Sequence, residues 1–310
     1  MKNVLVMIAL KEETKALFEE IGGYDFRFIS SKEVTDEDLE WAEIIVGNPT
    51  DEMIGKAPHL EWIQTASAGV NHYLDLREGI LLSNAYGAYG PGIAEYLTAC
   101  VLAADKGLYG YDALQKEHLW KALPHGKGIP NMKVLSIGMG SIGSEFLKRM
   151  NFLGAACYGV KRHPGEKPDY VKEICTTEET DTLLPEMDVV AMSLPETPET
   201  IHFMNEERLS LMKKGSILLN VGRGTAIDTD ALVKTSSRFK EVFLDVTDPE
   251  PLPEDHPLWD LHNVHITPHI AGRYTNPLHY DRVLNVILTN LRNYAEEKPL
   301  LHTVSRILGY

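Results

Sequence analysis

The chain is poor in cysteine, and it lacks any long uncharged stretch of apolar residues. Its three cysteines, Cys100, Cys157 and Cys175, are an odd number without the short spacing of a metal motif, which argues against a disulfide framework or a zinc site. No window reaches the roughly 18 uncharged apolar residues that suggest a membrane span. The apolar run at residues 4–8 is too short for a signal peptide, so we expect a cytoplasmic protein with reduced, buried cysteines.

Basic residues are also scarce. Thirty lysines and arginines stand against 45 aspartates and glutamates, which gives a net charge of −15 at pH 7. A protein this acidic does not attract nucleic acid or an anionic membrane non-specifically, so the expected partner is a small molecule. An anionic ligand would have to be drawn by local positive charge or by helix N-termini. No metal ion is expected.

Short apolar segments alternate with amphipathic segments along most of the 310 residues, a length typical of two domains. The predicted strands of the first series lie at 4–8, 26–29, 44–46, 62–64 and 81–82, and its helices at 12–21, 36–41 and 51–57. A helix at 92–104 and an irregular segment at 107–132 follow. The second series has six predicted strands, at 134–137, 157–160, 189–192, 216–220, 242–245 and 264–267, before a last helix at 280–297. This alternation predicts parallel sheets with crossover helices.

A glycine-rich segment, Gly-Met-Gly-Ser-Ile-Gly, lies between the first strand of the second series and a predicted helix at 144–152. In such a loop the first glycine allows a tight turn, the second lets the backbone approach a pyrophosphate, and the third lets helix and strand pack closely. The anion then meets free N–H groups at the helix N-terminus. The strand–turn–helix context therefore predicts a dinucleotide-binding loop rather than a structural turn. The predicted contacts are Gly138, Gly140, Ser141, Ile142 and Gly143.

The residues after the second strand of this series bear on which dinucleotide binds. NAD enzymes usually place Asp or Glu there, to accept hydrogen bonds from the ribose hydroxyls. Here Lys161 and Arg162 occupy that position, and no carboxylate follows until Glu166. Cations can pair with a 2′-phosphate, so NADP(H) is the preferred cofactor and NAD(H) a possible one. The alternative is that both cations are solvated loop charges.

Polar segments follow three later strands, at the sheet edge where open α/β folds bind ligands. They read Asn-Val-Gly-Arg-Gly at 220–224, Leu-Asp-Val-Thr-Asp-Pro-Glu at 244–250 and Thr-Pro-His-Ile-Ala-Gly at 267–272. With Ser-Ala-Gly-Val-Asn-His at 67–72 and Ser-Leu-Pro-Glu-Thr-Pro-Glu-Thr at 193–200, they closely resemble the D-isomer-specific 2-hydroxyacid dehydrogenases, a family that includes glyoxylate/hydroxypyruvate reductases. The resemblance runs over nearly the whole chain.

The resemblance implies three catalytic residues. Arg223 would hold the substrate's carboxylate or keto oxygen, because a guanidinium offers a rigid fork of donors. His269 would donate a proton to the keto oxygen while hydride arrives at the carbon. Glu250 would orient His269 and favour its protonated form. Backbone N–H groups of Ala68 and Gly69 would bind the substrate carboxylate.

The resemblance also implies further cofactor contacts and an architecture. Asp245 would contact the nicotinamide carboxamide. The other implied cofactor residues are Leu194, Pro195, Thr200, Val221, Gly222, Arg223, His269 and Gly272. The fold class is α/β, with two doubly wound parallel-sheet domains. A Rossmann NAD(P)-binding domain at 98–284 would be inserted into a flavodoxin-like substrate domain formed by 1–97 and 285–310. Relatives are usually dimers joined through the nucleotide domain, and residues 114–123 resemble their dimer segment.

Two other functions remain open at this point. A dinucleotide-sensing binding protein of the same fold would bind cofactor with little turnover, although Arg223, Glu250 and His269 disfavour that interpretation. Formate dehydrogenases of this type carry Gln where this chain has Glu250, so we rank formate dehydrogenase activity low. Arg273 is a departure from the usual pattern. It would add a cation for a dicarboxylate or hydroxylated substrate, or lie at the surface.

Overall fold

The computed structural model describes residues 1–305, and the chain divides into two compact units. Unit 1 comprises Met1–Tyr89 together with the chain from Tyr274 onward, and unit 2 comprises Gly90–Arg273. The domain boundaries expected from the sequence, after residues 97 and 284, fall inside helices of the structure. The assignment of substrate and cofactor binding to separate units stays a prediction. Residues 306–310 of the expected substrate domain lie outside the described residues.

The helices and strands have the following bounds in chain order: β1 (Lys2–Val6), α1 (Glu12–Glu19), β2 (Tyr24–Phe28), α2 (Asp36–Trp41), β3 (Ile44–Val46), α3 (Asp51–Gly55), β4 (Trp62–Gln64), β5 (Leu81–Ser83), α4 (Gly90–Lys106), α5 (Leu108–Lys116), β6 (Lys133–Ile137), α6 (Ser141–Phe152), β7 (Ala156–Val160), β8 (Glu173–Cys175), α7 (Thr180–Leu183), β9 (Val189–Met192), α8 (Glu206–Leu211), β10 (Ile217–Asn220), α9 (Thr229–Thr235), β11 (Glu241–Leu244), β12 (Val264–Ile266) and α10 (Pro277–Ala295). Within residues 1–305, no helix is long and apolar enough to cross a membrane.

Unit 1 is built on a five-stranded parallel sheet in the order β2-β1-β3-β4-β5. Its central strands are short apolar runs, and β3 is buried along its whole length, as expected for a sheet covered on both faces. The loop before α2 forms a capping box, in which the Thr35 hydroxyl and the Asp38 carboxylate satisfy each other's backbone N–H groups. The Asp38 carboxylate also forms an ion pair with Arg27, with 2.7 Å between Asp38 Oδ1 and Arg27 Nη1.

Unit 2 contains a seven-stranded parallel sheet in the order β12-β11-β10-β9-β6-β7-β8. Strand β6 is flanked by β7 on one side and by β9 on the other, so the chain reverses its direction of progress across the sheet there. Open α/β sheets bind ligands at the carboxyl ends of the strands beside such a switch point. All the strands are parallel, so their carboxyl ends meet at one edge. The two-domain parallel α/β fold class is therefore confirmed.

Two elements of unit 2 depart from the sequence prediction. The segment 107–132 is not irregular throughout, because it contains α5. This helix has no buried residue, and Gly107 and Gly110 at its start are poor helix formers that obscure it in the sequence. The prediction of six strands was also wrong, since β8 is a seventh. It is only three residues long and begins with an exposed glutamate, so its apolar signal is minimal.

The three cysteines are free and buried, as expected. Burial raises the pKa of the Cys100 and Cys175 thiols to about 11 and that of the Cys157 thiol to about 12. All three are therefore neutral thiols at neutral pH. They behave as small apolar side chains of the core rather than as nucleophiles.

A buried amide pair fastens the end of the described chain to the sheet of unit 1. Asn290 on α10 donates to Gln64 Oε1 at 2.6 Å and to the Leu301 carbonyl at 3.0 Å, and it accepts the Leu301 N–H at 2.7 Å. Asn290 and Gln64 are fully buried. Without Asn290, Gln64 Oε1 would keep the hydrogen bond from the Ser83 hydroxyl at 2.6 Å, but the N–H and carbonyl of Leu301 would lose their Asn290 partner.

We therefore predict that Asn290→Leu lowers the free energy of unfolding by about 1–3 kcal/mol, because it removes three hydrogen bonds made by a buried side chain. Urea unfolding followed by circular dichroism measures the change. Asn293→Leu on the same helix is the matched control, since Asn293 makes a single exposed side-chain hydrogen bond to Pro299 O. Equal stability of the two variants would contradict the prediction.

Candidate active site

The glycine-rich loop joins β6 to α6 and depends on the absence of side chains. Gly138 has a φ of +94°, and a Cβ there would lie 2.9 Å from the Ser193 carbonyl oxygen. A Cβ at Gly143 would overlap the Gly138 carbonyl oxygen. That oxygen also accepts hydrogen bonds from the Ser136 and Ser193 hydroxyls at 3.0 and 3.1 Å. The loop is thereby held tightly against the neighbouring segment after β9.

The loop leads directly into the N-terminus of α6. The helix begins at Ser141 after Gly140, and no side chain caps its first turn. The first N–H groups of a helix have no partner within it and carry its positive dipole end. An uncapped 12-residue helix behind a glycine loop thus fits a pyrophosphate. The structure brings the five predicted loop contacts together in this turn.

Lys161 and Arg162 follow β7 at the same edge of the sheet. The Lys161 N–H donates to the Cys175 carbonyl, which fixes the backbone there at the end of β8. The Arg162 guanidinium is half exposed and lies 3.9 Å from a Glu199 carboxylate oxygen. The pKa of Glu199 is lowered by its own backbone N–H, by the Thr197 hydroxyl and by Arg162. Among the described residues, Arg162 has a loose ion pair with the exposed Glu199 carboxylate, and its charge also acts on Glu178.

The predicted contacts after β9 and β10 pack against one another. A Cβ at Gly222 would lie 2.6 Å from the Leu194 carbonyl oxygen, so these two segments touch through their backbones. Within the first segment, the Thr200 hydroxyl donates to the Pro195 carbonyl at 2.7 Å. Val221, the first residue after β10, is buried. The structure thus gathers this set of predicted residues on one surface.

Arg223 lies on a turn that is held by the Asn220 side chain and by close packing on the segment after β11. Asn220 accepts the Gly222 N–H at 3.1 Å and donates to the Arg223 carbonyl at 2.9 Å. A Cβ at Gly224 would overlap the Thr247 carbonyl oxygen, so the turn also packs on the segment after β11. The Arg223 guanidinium donates to the Gly222 carbonyl at 2.8 Å. The role of Asn220 was not predicted from the sequence, because its partners are backbone groups.

His269 and Glu250 form a direct pair. His269 Nδ1 lies 2.7 Å from Glu250 Oε1, and both side chains are about half exposed. The His269 backbone has a φ of +50°, which is uncommon for a residue other than glycine. Its N–H donates to the carbonyl oxygens of Asp245 and Thr267 at 2.8 and 2.9 Å. Because Nδ1 is used by Glu250, Nε2 is the nitrogen that can face a substrate.

Asp245 is buried just beyond β11, with 2 % of its surface exposed. Oδ1 accepts hydrogen bonds from the Thr267 hydroxyl at 2.6 Å and from the Ile270 N–H at 2.9 Å. Oδ2 accepts the Ala271 N–H at 3.0 Å. A carboxylate offers about four acceptor positions, so one stays available for the predicted carboxamide contact. The sequence pattern did not reveal that Asp245 also holds the segment that carries His269.

The remaining predicted residues are divided between the two units. Ala68 and Gly69 lie in unit 1, in a loop whose carbonyl oxygens are held by neighbours. Asn84 donates to Ala68 O and the Ser67 hydroxyl donates to Gly69 O, both at 2.8 Å. The N–H groups of Ala68 and Gly69 are the donors assigned to a substrate carboxylate. Gly272 is half-buried and Arg273 is exposed, and the choice between the two expected roles of Arg273 stays open.

Known proteins resemble the chain in sequence and in fold. The family described as D-isomer specific 2-hydroxyacid dehydrogenase, NAD binding domain, matches residues 98–271. A glyoxylate reductase from Thermofilum pendens is 34 % identical over 236 residues, which cover 71 % of this chain and 68 % of the relative.

Two solved structures extend the similarity over nearly the full length. A D-isomer specific 2-hydroxyacid dehydrogenase family protein from Aeromonas salmonicida superposes with a TM-score of 0.89 and 28 % identity, covering 98 % of this chain and 99 % of the other. A D-lactate dehydrogenase from Aquifex aeolicus, complexed with NAD and lactic acid, gives a TM-score of 0.76 and 27 % identity, with 96 % of each chain covered.

We predict that Gly143→Ala raises the dissociation constant of NADPH at least roughly tenfold, because the added methyl group would displace the Gly138 carbonyl and distort the loop. Titration of NADPH fluorescence measures binding without turnover. Gly165→Ala serves as the control, since a Cβ there meets nothing within 4 Å. Wild-type affinity in Gly143→Ala would show that the dinucleotide binds elsewhere.

Proposed function

The chain belongs to the D-isomer specific 2-hydroxyacid dehydrogenase family and is an NAD(P)-dependent oxidoreductase; from this premise we propose that it reduces a 2-keto acid to a D-2-hydroxy acid. The proposed substrates are small acids of the glyoxylate and hydroxypyruvate type, because the similar protein from Thermofilum pendens is a glyoxylate reductase. NADPH, when bound, supplies the hydride.

The pairing of His269 with Glu250 at 2.7 Å is the observation that carries this proposal. Reduction of a ketone to an alcohol needs a proton at the oxygen as hydride reaches the carbon. A histidine can hold and release that proton near neutral pH. Glu250 fixes the ring through Nδ1, so Nε2 delivers the proton. In the reverse direction the same nitrogen accepts it.

Arg223, Ala68 and Gly69 would bind the acid itself. A guanidinium can hold a carboxylate or the keto oxygen with two parallel hydrogen bonds. The Arg223 side chain donates one hydrogen bond to the Gly222 carbonyl, and its other N–H groups are the donors assigned to the substrate. The N–H groups of Ala68 and Gly69 would add neutral donors. Each of these groups would locally offset the overall field of an acidic protein, which opposes a carboxylate.

The cofactor preference rests on charge. Lys161 and Arg162 follow β7, where an NAD enzyme usually carries a carboxylate. Among the described residues, the ion-pair partner of Arg162 is the exposed Glu199 carboxylate at 3.9 Å, a separation that makes a weak surface pair. A 2′-phosphate carries more charge than a carboxylate and three acceptor oxygens. We therefore propose that NADPH displaces Glu199 from Arg162 and binds more tightly than NADH.

We also propose a homodimer joined through unit 2. The segment around α5 exposes several large apolar side chains. Leu108 and Leu119 are about half exposed, and Trp120 is fully exposed. Exposed aromatic and aliphatic groups in one segment favour a protein–protein contact. A cytoplasmic location stays a prediction from the sequence.

His269→Asn is expected to lower kcat for glyoxylate or hydroxypyruvate by about 10²- to 10⁴-fold, the typical contribution of a general acid. The dissociation constant of NADPH should change far less than kcat, because the variant loses one predicted cofactor contact but keeps the glycine loop. Stopped-flow absorbance at the nicotinamide band measures the rate. His262→Asn is the matched control, since His262 is exposed in the same unit.

Near-wild-type turnover by His269→Asn would show that His269 is not the acid–base group. Failure of the unmodified protein to oxidise either NADPH or NADH with a panel of 2-keto acids would instead favour a cofactor-sensing binding protein.

Neutralising the cations after β7 tests the cofactor preference. Lys161→Gln and Arg162→Gln are each expected to raise KM for NADPH by about tenfold, the effect of losing one charge-assisted contact, and to leave KM for NADH almost unchanged. Glu199→Gln should lower KM for NADPH, because it removes the competing carboxylate. Lys172→Gln, which removes an exposed cation of the same unit, is the control. A lower KM for NADH than for NADPH in the wild type would contradict the proposal.

A further inference from the structure

We infer that Tyr96 is a positioning residue for His269, acting through Thr267 and Asp245. This inference rests on the proposed acid–base role of His269. Tyr96 lies on α4, and its hydroxyl is 2.8 Å from the Thr267 hydroxyl. Thr267 in turn lies 2.6 Å from Asp245 Oδ1. The contact joins positions 171 residues apart in the chain, and neither hydroxyl belongs to the set of residues expected to touch substrate or cofactor.

Counting protons fixes the direction of this chain of hydrogen bonds. An ionised carboxylate can only accept, so the single proton of the Thr267 hydroxyl must point to Asp245. The Tyr96 hydroxyl is then the donor to Thr267, and the Cys100 thiol is a further hydrogen-bond neighbour of the Tyr96 hydroxyl. Burial raises the pKa of Tyr96 well above its ordinary value, so this donor keeps its proton. Successive hydrogen bonds in one direction polarise each other, which strengthens the bond that Thr267 makes to Asp245.

The segment held by this chain is the one that carries His269. Asp245 binds Thr267 on one side of His269 and the N–H groups of Ile270 and Ala271 on the other. His269 itself sits at a φ of +50°, a conformation that persists only when its surroundings determine it. Loosening the carboxylate on the Thr267 side would let the backbone relax and turn the imidazole away from its productive direction.

Helix α4 connects this chain of hydrogen bonds to the cofactor loop. Its first residue, Gly90, approaches the first residue of α6 so closely that a Cβ would lie 2.8 Å from the Ser141 carbonyl oxygen. Tyr96 lies less than two turns further along α4. One rigid helix therefore abuts the proposed pyrophosphate turn and also fixes Thr267. Tyr96 therefore fixes the segment that carries His269 relative to α4, the helix that borders the cofactor loop.

Three single variants separate the hydrogen bonds from simple packing. Tyr96→Phe removes the donor alone and is expected to lower kcat about tenfold, a size typical of small misplacements of a catalytic group. Thr267→Val keeps the shape but breaks both bonds, so its loss of kcat should be larger. Thr267→Ser keeps the hydroxyl and should restore most of the rate. The dissociation constant of NADPH, measured by fluorescence titration, should stay unchanged in all three.

The double variant Tyr96→Phe/Thr267→Val should be no slower than Thr267→Val, because Tyr96 has already lost its acceptor there. The His269 ring Cε1–H resonance, assigned by its loss in His269→Asn, gives a readout independent of turnover. It should shift in Tyr96→Phe and stay in place in Thr235→Val. That control removes a buried hydroxyl bonded to the Ala231 carbonyl, away from this segment.

Several results would overturn the inference. One is wild-type kcat and an unmoved His269 resonance in Tyr96→Phe, whatever the rate of Thr267→Val. Another is a Thr267→Ser variant as slow as Thr267→Val, which would mean that shape rather than the hydroxyl matters. If these results appear while His269→Asn is inactive, the proposed function stands and only the positioning role fails. If His269→Asn is active, the proposed function itself fails.

Discussion

The carboxylate of Asp245 is buried beyond the end of β11 and is surrounded by donors from one short segment. Removing a charged group from water is costly unless hydrogen bonds replace its hydration. Here the replacements come from a hydroxyl and two N–H groups that flank His269. The segment can therefore fold in only a narrow range of ways, because any other path would leave the carboxylate without donors. The direction of the His269 ring and its pairing with Glu250 follow from that constraint.

The protein must also bind anionic ligands although it is acidic overall. Its net charge of −15 repels anions, yet both the cofactor and the proposed substrates are anionic. Backbone N–H groups at the start of α6 and the side chains of Lys161, Arg162 and Arg223 supply positive potential at the carboxyl edge of one sheet. Helix N-termini and glycine turns offer donors without long side chains to order. Overall acidity and specific anion binding are thus compatible.

The sequence predicts those parts of the fold whose signals are local. Strands β3, β4 and β9 and helix α2 have the expected bounds, because their apolar runs or capping residues mark both ends. The exposed helix α5 and the strand β8 were not predicted, since glycines interrupt the start of α5 and β8 is only three residues long. The glycine loop could be recognised because each glycine has a backbone task that no other residue performs.

The site was predictable only as a set of residues and not as a network. Spacing and resemblance named Glu250, His269 and Asp245 as members of a site. They could not show that the Asp245 carboxylate holds the backbone on both sides of His269, or that Tyr96 donates to Thr267. Such contacts join side chains far apart in sequence, and they depend on the packing of α4 against the sheet and α6.

The central claim is that this hydrogen-bond network positions His269 so that a 2-keto acid receives hydride from NADPH on one face. Its most direct test is the configuration of the product. The wild-type protein is incubated with NADPH deuterated at the transferable position of C4 and with hydroxypyruvate, and the product is resolved by chiral chromatography and mass spectrometry. The account predicts D-glycerate carrying deuterium at C2. An L product, a racemic product or an absence of deuterium at C2 would contradict it.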